Sequence, residues 1–386
     1  MSIHSLTNTI DRALTAAGLN TSTGPAHTAV ETIRRALAAA HIAQHPKDAS
    51  AHDGDLIDVE ARVVGVENTV ETTGEPIDLK HPPGQSGRFL SFAYSSPLGS
   101  RAYKLYVPAS YRGDSPMPLV VMLHGCKQDP DDFARGTRIN QVAEEQGFLV
   151  AYPAQSTKAN GSNCWNWFEP QHQARTGAEP SIIVGIVREI GRAYRVDERS
   201  VFVAGLSAGA AMAVILAEAY PDVFAAVAAH SGLPHGAAHD VASAFAAMHG
   251  AAPPTSPLNR RPAEASPARP TIVFHGEADA TVVPTNGAAI VQQAVSKLAS
   301  ERGPLTRQVE QRVTNGRRCT RIAHVDRDGM PVVEQWTVQA GGHAWFGGSR
   351  AGSFAEPHGP DSSREMMRFF NLHVHREASE HEATAT

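Results

Sequence analysis

Short, almost unbroken apolar runs dominate the chain from about residue 100 onward: PLVVML at 118–123, FLVAYP at 148–153, VFVAG at 201–205, VFAAVAAH at 223–230 and TIVFHG at 271–276. A strand with one wet face alternates apolar and polar residues, whereas a strand without that alternation must be covered on both faces. Helix-patterned segments separate the runs, around 131–146, over 180–194, after residue 207 up to Pro221, and near 285–300. VVEQWTV at 332–338 closes the series, and a last helix is expected over 361–373. Strand–helix alternation of this kind predicts an α/β domain: a mostly parallel central sheet with helices on both faces.

The remaining segments are unlike this core. Ile10, Leu14 and Leu19, then Val30, Ile33, Leu37 and Ile42, recur at roughly helical spacing and predict a small helical N-terminal appendage over 1–60. Such stripes usually face a core; the alternative use is a contact surface for a partner or a hydrophobic particle. Residues 61–90, rich in Gly, Pro and Thr toward their end, read as a linker, and 91–374 as the α/β domain. Within it, 233–270 reads as an insertion, either a cap or a surface excursion, and the polar stretch 375–386 as a disordered tail. That tail leaves little room for a further module.

Charge excludes some partners. With 34 Lys+Arg against 39 Asp+Glu the net charge is -5, and there is no basic stripe, so no nucleic acid is expected. No apolar run is long enough to span a bilayer. The first residues, MSIHSLTNTIDRALTAAGLN, lack the pattern of a secretory signal. Taken literally this places the chain in the cytoplasm; numbering that starts after a removed leader would make it secreted. No His/Cys cluster has metal-ligand spacing and no cofactor motif occurs, so neither a metal nor a cofactor is expected. Oligomeric state is not legible.

The chemistry centres on GLSAG at 205–209. G-x-S-x-G alone is a common match, and its context is what sharpens it. A buried strand precedes Ser207 and an alanine-rich helix follows, so the serine occupies a strand-to-helix turn, where Gly205 and Gly209 relieve crowding. The competing reading is a helix N-cap. A serine nucleophile needs a base and an orienting acid, expected later in the chain, each just after a strand. Asp279 follows TIVFHG, with Glu277 as the rival carboxylate, and the glycine-flanked His343 follows VVEQWTV. The N–H groups of Cys126 and Ala208 are the candidate oxyanion donors. His124 and His275, each ending a strand before a glycine, read as structural.

The blocks LHGCKQD (123–129), AYPAQS (151–156), CWNWF (164–168), GLSAGAAM (205–212), HGEAD (275–279) and GGHAW (341–345) resemble the catalytic domain of polyhydroxybutyrate depolymerase-type esterases. These are similar to feruloyl and acetylxylan esterases of the same α/β-hydrolase group. The resemblance, over roughly 100–370, implies that fold, a Ser207–Asp279–His343 triad and polyester or oligoester substrates. A carbohydrate-linked ester hydrolase, releasing acetyl or feruloyl groups, is the alternative enzyme. A non-catalytic granule-binding protein is the alternative of another class. Trp165 is expected in the core, Trp167 and Trp345 beside the substrate, and Cys126 paired with Cys164, leaving Cys319 free.

Overall fold

The computed structural model describes residues 87–251 and 267–374. The expected N-terminal appendage, most of the linker, the middle of the 233–270 insertion and the tail lie outside the described residues.

A ten-stranded sheet runs in the order β1-β2-β4-β3-β5-β6-β7-β10-β9-β8. Its elements are β1 (Arg88–Ser96), β2 (Gly99–Val107), β3 (Met117–Leu123), β4 (Leu149–Pro153), β5 (Val196–Leu206), β6 (Ala226–His230), β7 (Thr271–Gly276), β8 (Thr306–Thr314), β9 (Arg317–Val325) and β10 (Pro331–Val338). The inner strands β4, β3, β5, β6, β7 and β10 are mutually parallel. Antiparallel hairpins, β1–β2 and β8–β9, extend the sheet at its two edges. β1 begins at Arg88, so residues 88–90, expected in the linker, belong to the sheet.

The apolar runs form the parallel strands because both their faces are covered. On β3, Leu119, Val121 and Leu123 enter one core, while Val120 and Met122 enter the other. Helices α3 (Ala178–Ala193) and α4 (Ala208–Ala219) pack over the first core. The second lies under α1 (Pro130–Thr137), α2 (Ile139–Gln146) and α7 (Ser362–Phe370). Helix α6 (Thr285–Arg302) lies against β7 and β10. The stretch 131–146, read as one helical region, is two helices broken at Arg138, whose φ of 57° lies in the left-handed region. In the described part of the insertion, α5 (Val241–Met248) is capped by Asp240, whose side chain accepts from the Ser243 N–H at 2.7 Å.

Parallel strands all point the same way, so the loops after β3, β5, β7 and β10 leave the sheet at one edge. That shared edge brings residues more than two hundred positions apart into one site.

Candidate active site

Ser207 sits between β5 and α4 at φ 57°, ψ −120°, a backbone conformation that costs any residue with a Cβ. Its side chain makes no capping hydrogen bond to the helix it precedes, which removes the N-cap explanation. The turn is anchored instead through its backbone, the Ser207 N–H donating to His230 O at 2.9 Å. Glycine is required on either side. A Cβ on Gly205 would stand 2.3 Å from Gly209 C, and one on Gly209 would stand 2.1 Å from Leu123 O.

Asp279, 3% exposed, lies in the turn after β7. One carboxylate oxygen, Oδ1, accepts from the Thr281 and Val282 N–H groups at 3.0 and 2.9 Å. The other, Oδ2, lies 2.8 Å from His343 Nδ1. Burial on its own would raise the carboxyl's pKa. The hydrogen bonds from His275, His343 and the Val282 N–H outweigh it and hold the group well below the usual carboxylate range. Glu277 is exposed on the same turn and makes no bond to His343 among the described residues. The geometry therefore pairs Asp279, not Glu277, with the histidine.

The loop after β3 lies beside Ser207: a Cβ on Gly125 would stand 3.5 Å from the Ser207 Cβ. This loop is held from several sides. The Gly125 N–H donates to Gln128 Oε1 at 3.0 Å, Trp165 Nε1 donates to His124 O at 3.1 Å, and His124 Nε2 accepts from the Gln155 N–H at 3.1 Å. Burial lowers the pKa of His124, keeping that ring neutral and an acceptor. Cys126 is disulfide-bonded to Cys164, with a Cα–Cα distance of 4.2 Å. Among the described residues, no turn or cap hydrogen bond takes up the N–H of Cys126 or Ala208.

Behind this loop stands a buried carboxylate that sequence patterns did not single out. Glu179, in the first turn of α3, accepts from Gln155 Nε2 at 2.5 Å, Asn166 Nδ2 at 2.9 Å and the Asn166 N–H at 2.8 Å. It ties the CWNWF segment to Gln155, whose N–H holds His124 at the start of the loop after β3.

Two expectations need correction. Trp167 and Trp345, expected beside the substrate, are 5% and 2% exposed and pack in the two cores. Trp345 stacks on His230 with centroids 4.7 Å apart and donates from Nε1 to Ser363 Oγ at 3.1 Å. The ring's stacked face and its polar tip are thus engaged within the fold. Trp165 is fully buried, as a core residue should be.

An aromatic ring that does stand open beside His343 is Phe354. It is 42% exposed, holds φ at 49°, and meets the His343 ring edge-on with centroids 6.2 Å apart. Its backbone is fixed by the Trp345 N–H, which donates to Phe354 O at 2.7 Å. Next to it, the Ser353 N–H donates to Asp132 Oδ1 at 2.9 Å, and Gln128 Nε2 donates to Asp132 Oδ2 at 2.9 Å. A single hydrogen-bonded network therefore joins the loop of Gly125 to the segment beside His343. Nothing in the residue pattern GSRAGSFAEP marks this phenylalanine; only the tertiary contact does.

The disulfide carries a prediction. Titration of denatured, unreduced protein should find one reactive thiol, Cys319, among three cysteines. Closing a loop of 38 residues should stabilise the fold by about 3–4 kcal/mol, so Cys164→Ser should lower the unfolding temperature markedly. Three reactive thiols would rule the bridge out.

Residues 101–305 match the family described as Esterase PHB depolymerase. Poly(3-hydroxyalkanoate) depolymerase C of Paucimonas lemoignei is 31% identical over 239 residues, a match covering 58% of this chain and 54% of the relative. Feruloyl esterase B of Neurospora crassa is 34% identical over 151 residues, covering 39% of this chain and 50% of the relative. The chain thus spans about half the length of the curated relatives it matches. The acetyl xylan esterase from Aspergillus awamori has the same fold, with a TM-score of 0.52 at 19% identity, over 70% of this chain and 94% of that one.

Proposed function

The chain belongs to the Esterase PHB depolymerase family, and we propose that it is a serine carboxylester hydrolase acting on polyhydroxyalkanoate-type polyester or its oligomers through an acyl-enzyme. The observation that carries this reading is the strained Ser207 turn at the same sheet edge as a buried Asp279 hydrogen-bonded to His343. Ser207 Oγ attacks the ester carbonyl while His343 Nε2 accepts the hydroxyl proton. Asp279 accepts from His343 Nδ1–H, fixing the ring's tautomer and stabilising the imidazolium. The N–H groups of Cys126 and Ala208 donate to the tetrahedral oxyanion. Collapse breaks the bond to the alcohol oxygen, which leaves with the proton from His343. Water then repeats the sequence on the acyl-enzyme, releasing the acid and restoring the serine.

Substrate choice rests on the relatives. One is a polyhydroxyalkanoate depolymerase by name and another a feruloyl esterase, so the test is a panel of hydroxybutyrate oligomers, feruloylated xylan and acetylated xylan, read by product mass spectrometry. Faster hydroxybutyrate release supports the proposal; faster ferulate or acetate release replaces it with the carbohydrate-ester reading. No turnover on any member, nor on p-nitrophenyl butyrate, would leave the non-catalytic granule-binding reading.

Chemistry also supports one reading of the compartment. Among the described residues no helix is long and apolar enough to cross a membrane. The Cys126–Cys164 disulfide lies beside the oxyanion loop and favours an oxidising compartment, hence the secreted rather than the cytoplasmic alternative.

Phe354 is proposed to form the wall on which substrate lies. Phe354→Ala should raise KM for hydroxybutyrate trimer about fivefold, about 1 kcal/mol of lost contact, and change KM for p-nitrophenyl acetate less. Phe354→Gly should show the same KM effect with a raised unfolding temperature, because glycine releases the strain at φ 49°. An unchanged trimer KM in both variants would remove Phe354 from the cleft.

A further inference from the structure

A second imidazole stands against the Asp279 carboxylate. His275 lies near the end of β7, four residues before Asp279, and is 1% exposed. Its Nε2 is 2.8 Å from Val282 O and 3.4 Å from Asp279 Oδ2. On the opposite side of the ring, Nδ1 has no hydrogen-bond partner among the described residues and faces Gly287 of α6. A Cβ at Gly287 would stand only 2.5 Å from that nitrogen, so glycine is what admits the ring.

These surroundings select one tautomer. A nitrogen facing two oxygen acceptors carries the hydrogen, and the nitrogen against an apolar Cα does not. His275 therefore presents Nε2–H to both Val282 O and Asp279 Oδ2, a shared donor. Oδ1 of the carboxylate is already pinned by the Thr281 and Val282 N–H groups. Oδ2 would otherwise be held by His343 alone, the group whose ring must exchange protons with serine and leaving group.

We propose that His275 is a positioning residue for the triad: through its shared Nε2–H it fixes the Asp279 carboxylate independently of His343, so that the base is oriented throughout the catalytic cycle. The inference rests on the Ser207–His343–Asp279 reading above. It goes beyond a loop brace, because a brace through Val282 O alone would leave Oδ2 held only by His343, the ring that exchanges protons during turnover.

The experiment compares His275→Gln, His275→Asn and His275→Phe, with Ser207→Ala as the control for the triad itself. A glutamine amide nitrogen reaches about as far as imidazole Nε2, whereas asparagine stops near Nδ1. We expect kcat on p-nitrophenyl butyrate to fall about tenfold to a hundredfold in the Asn and Phe variants, the scale of a misplaced catalytic group. KM should be unchanged, and Gln should recover most of the loss. The downfield proton NMR signal of the His343–Asp279 hydrogen bond should persist in wild type and the Gln variant and broaden or move in the other two. If the Phe variant does not fold, the Gln–Asn contrast decides alone. Wild-type kcat and an unmoved proton signal in His275→Asn, with Ser207→Ala inactive, would overturn this inference and leave the triad intact. An active, folded Ser207→Ala protein would overturn the triad reading instead.

Discussion

Ser207→Ala is expected to remove ester hydrolysis by about 10³-fold or more while leaving the folded protein as stable as wild type. The stability half of this expectation comes from the turn. Because the hydroxyl makes no cap hydrogen bond, its loss leaves no helix donor newly unpaired. Because alanine keeps a Cβ at φ 57°, the strain of the turn stays as it was. Glycine separates the two effects. Ser207→Gly should be equally inactive yet raise the unfolding temperature by a few degrees, by releasing about 1 kcal/mol of backbone strain. His343→Ala should match Ser207→Ala in rate, and the double variant should lose no more than either single one, since these groups act as a unit. Turnover of p-nitrophenyl butyrate by folded Ser207→Ala at a tenth of the wild-type rate would be incompatible with this mechanism.

The sequence was readable where one physical cause dominates a segment. Burial on both faces leaves no polar positions, so the runs at 118–123, 201–205 and 271–276 announced parallel strands, and their order placed Ser207, Asp279 and His343 on one edge. The glycines of the turn were legible because the crowding they relieve is local. The edge hairpin was not. β8 reads TRQVEQRVT, is polar or charged at all positions but Val309 and Val313 and is largely exposed, so neither an apolar run nor an apolar face marks it. Its strand character comes from pairing with β9 across the Asn315–Gly316 turn, both residues at positive φ, and that dipeptide is the local signal that could have marked the hairpin. Tryptophan misled for the opposite reason: Trp167 and Trp345 border site residues in the chain, but adjacency in sequence says nothing about which way a ring turns. The Gln128–Asp132–Ser353 bridge, the buried Glu179 and the contact of His275 with Asp279 were likewise set by tertiary packing.

Asp279→Asn should lower kcat by about 10³- to 10⁴-fold, and unlike the serine change it should also destabilise the protein. The carboxylate accepts from two backbone N–H groups through Oδ1 and faces two imidazoles through Oδ2. An amide offers one oxygen and one NH₂. If its oxygen stays with Thr281 and Val282, the NH₂ points at the Nε2–H of His275 and at His343, which must then turn Nδ1 into an acceptor and lose the tautomer needed to accept the serine proton at Nε2. If the amide flips, the two backbone donors meet its NH₂ and are left unpaired in a buried turn. Either arrangement orphans buried donors, at a cost of about 1–3 kcal/mol each. The pH dependence has a definite sign. The Asp279 carboxyl is more acidic in the folded state than in the unfolded chain, so its contribution to stability is complete above the unfolded pKa, about 4, and is lost as pH falls below that value. Wild type should therefore lose stability between about pH 4 and pH 2 more steeply than Asp279→Asn, which has no proton to take up at this site. Denaturant melts of both proteins across that range measure the difference directly, and parallel curves would show that the carboxylate is not held as the hydrogen bonds around it require.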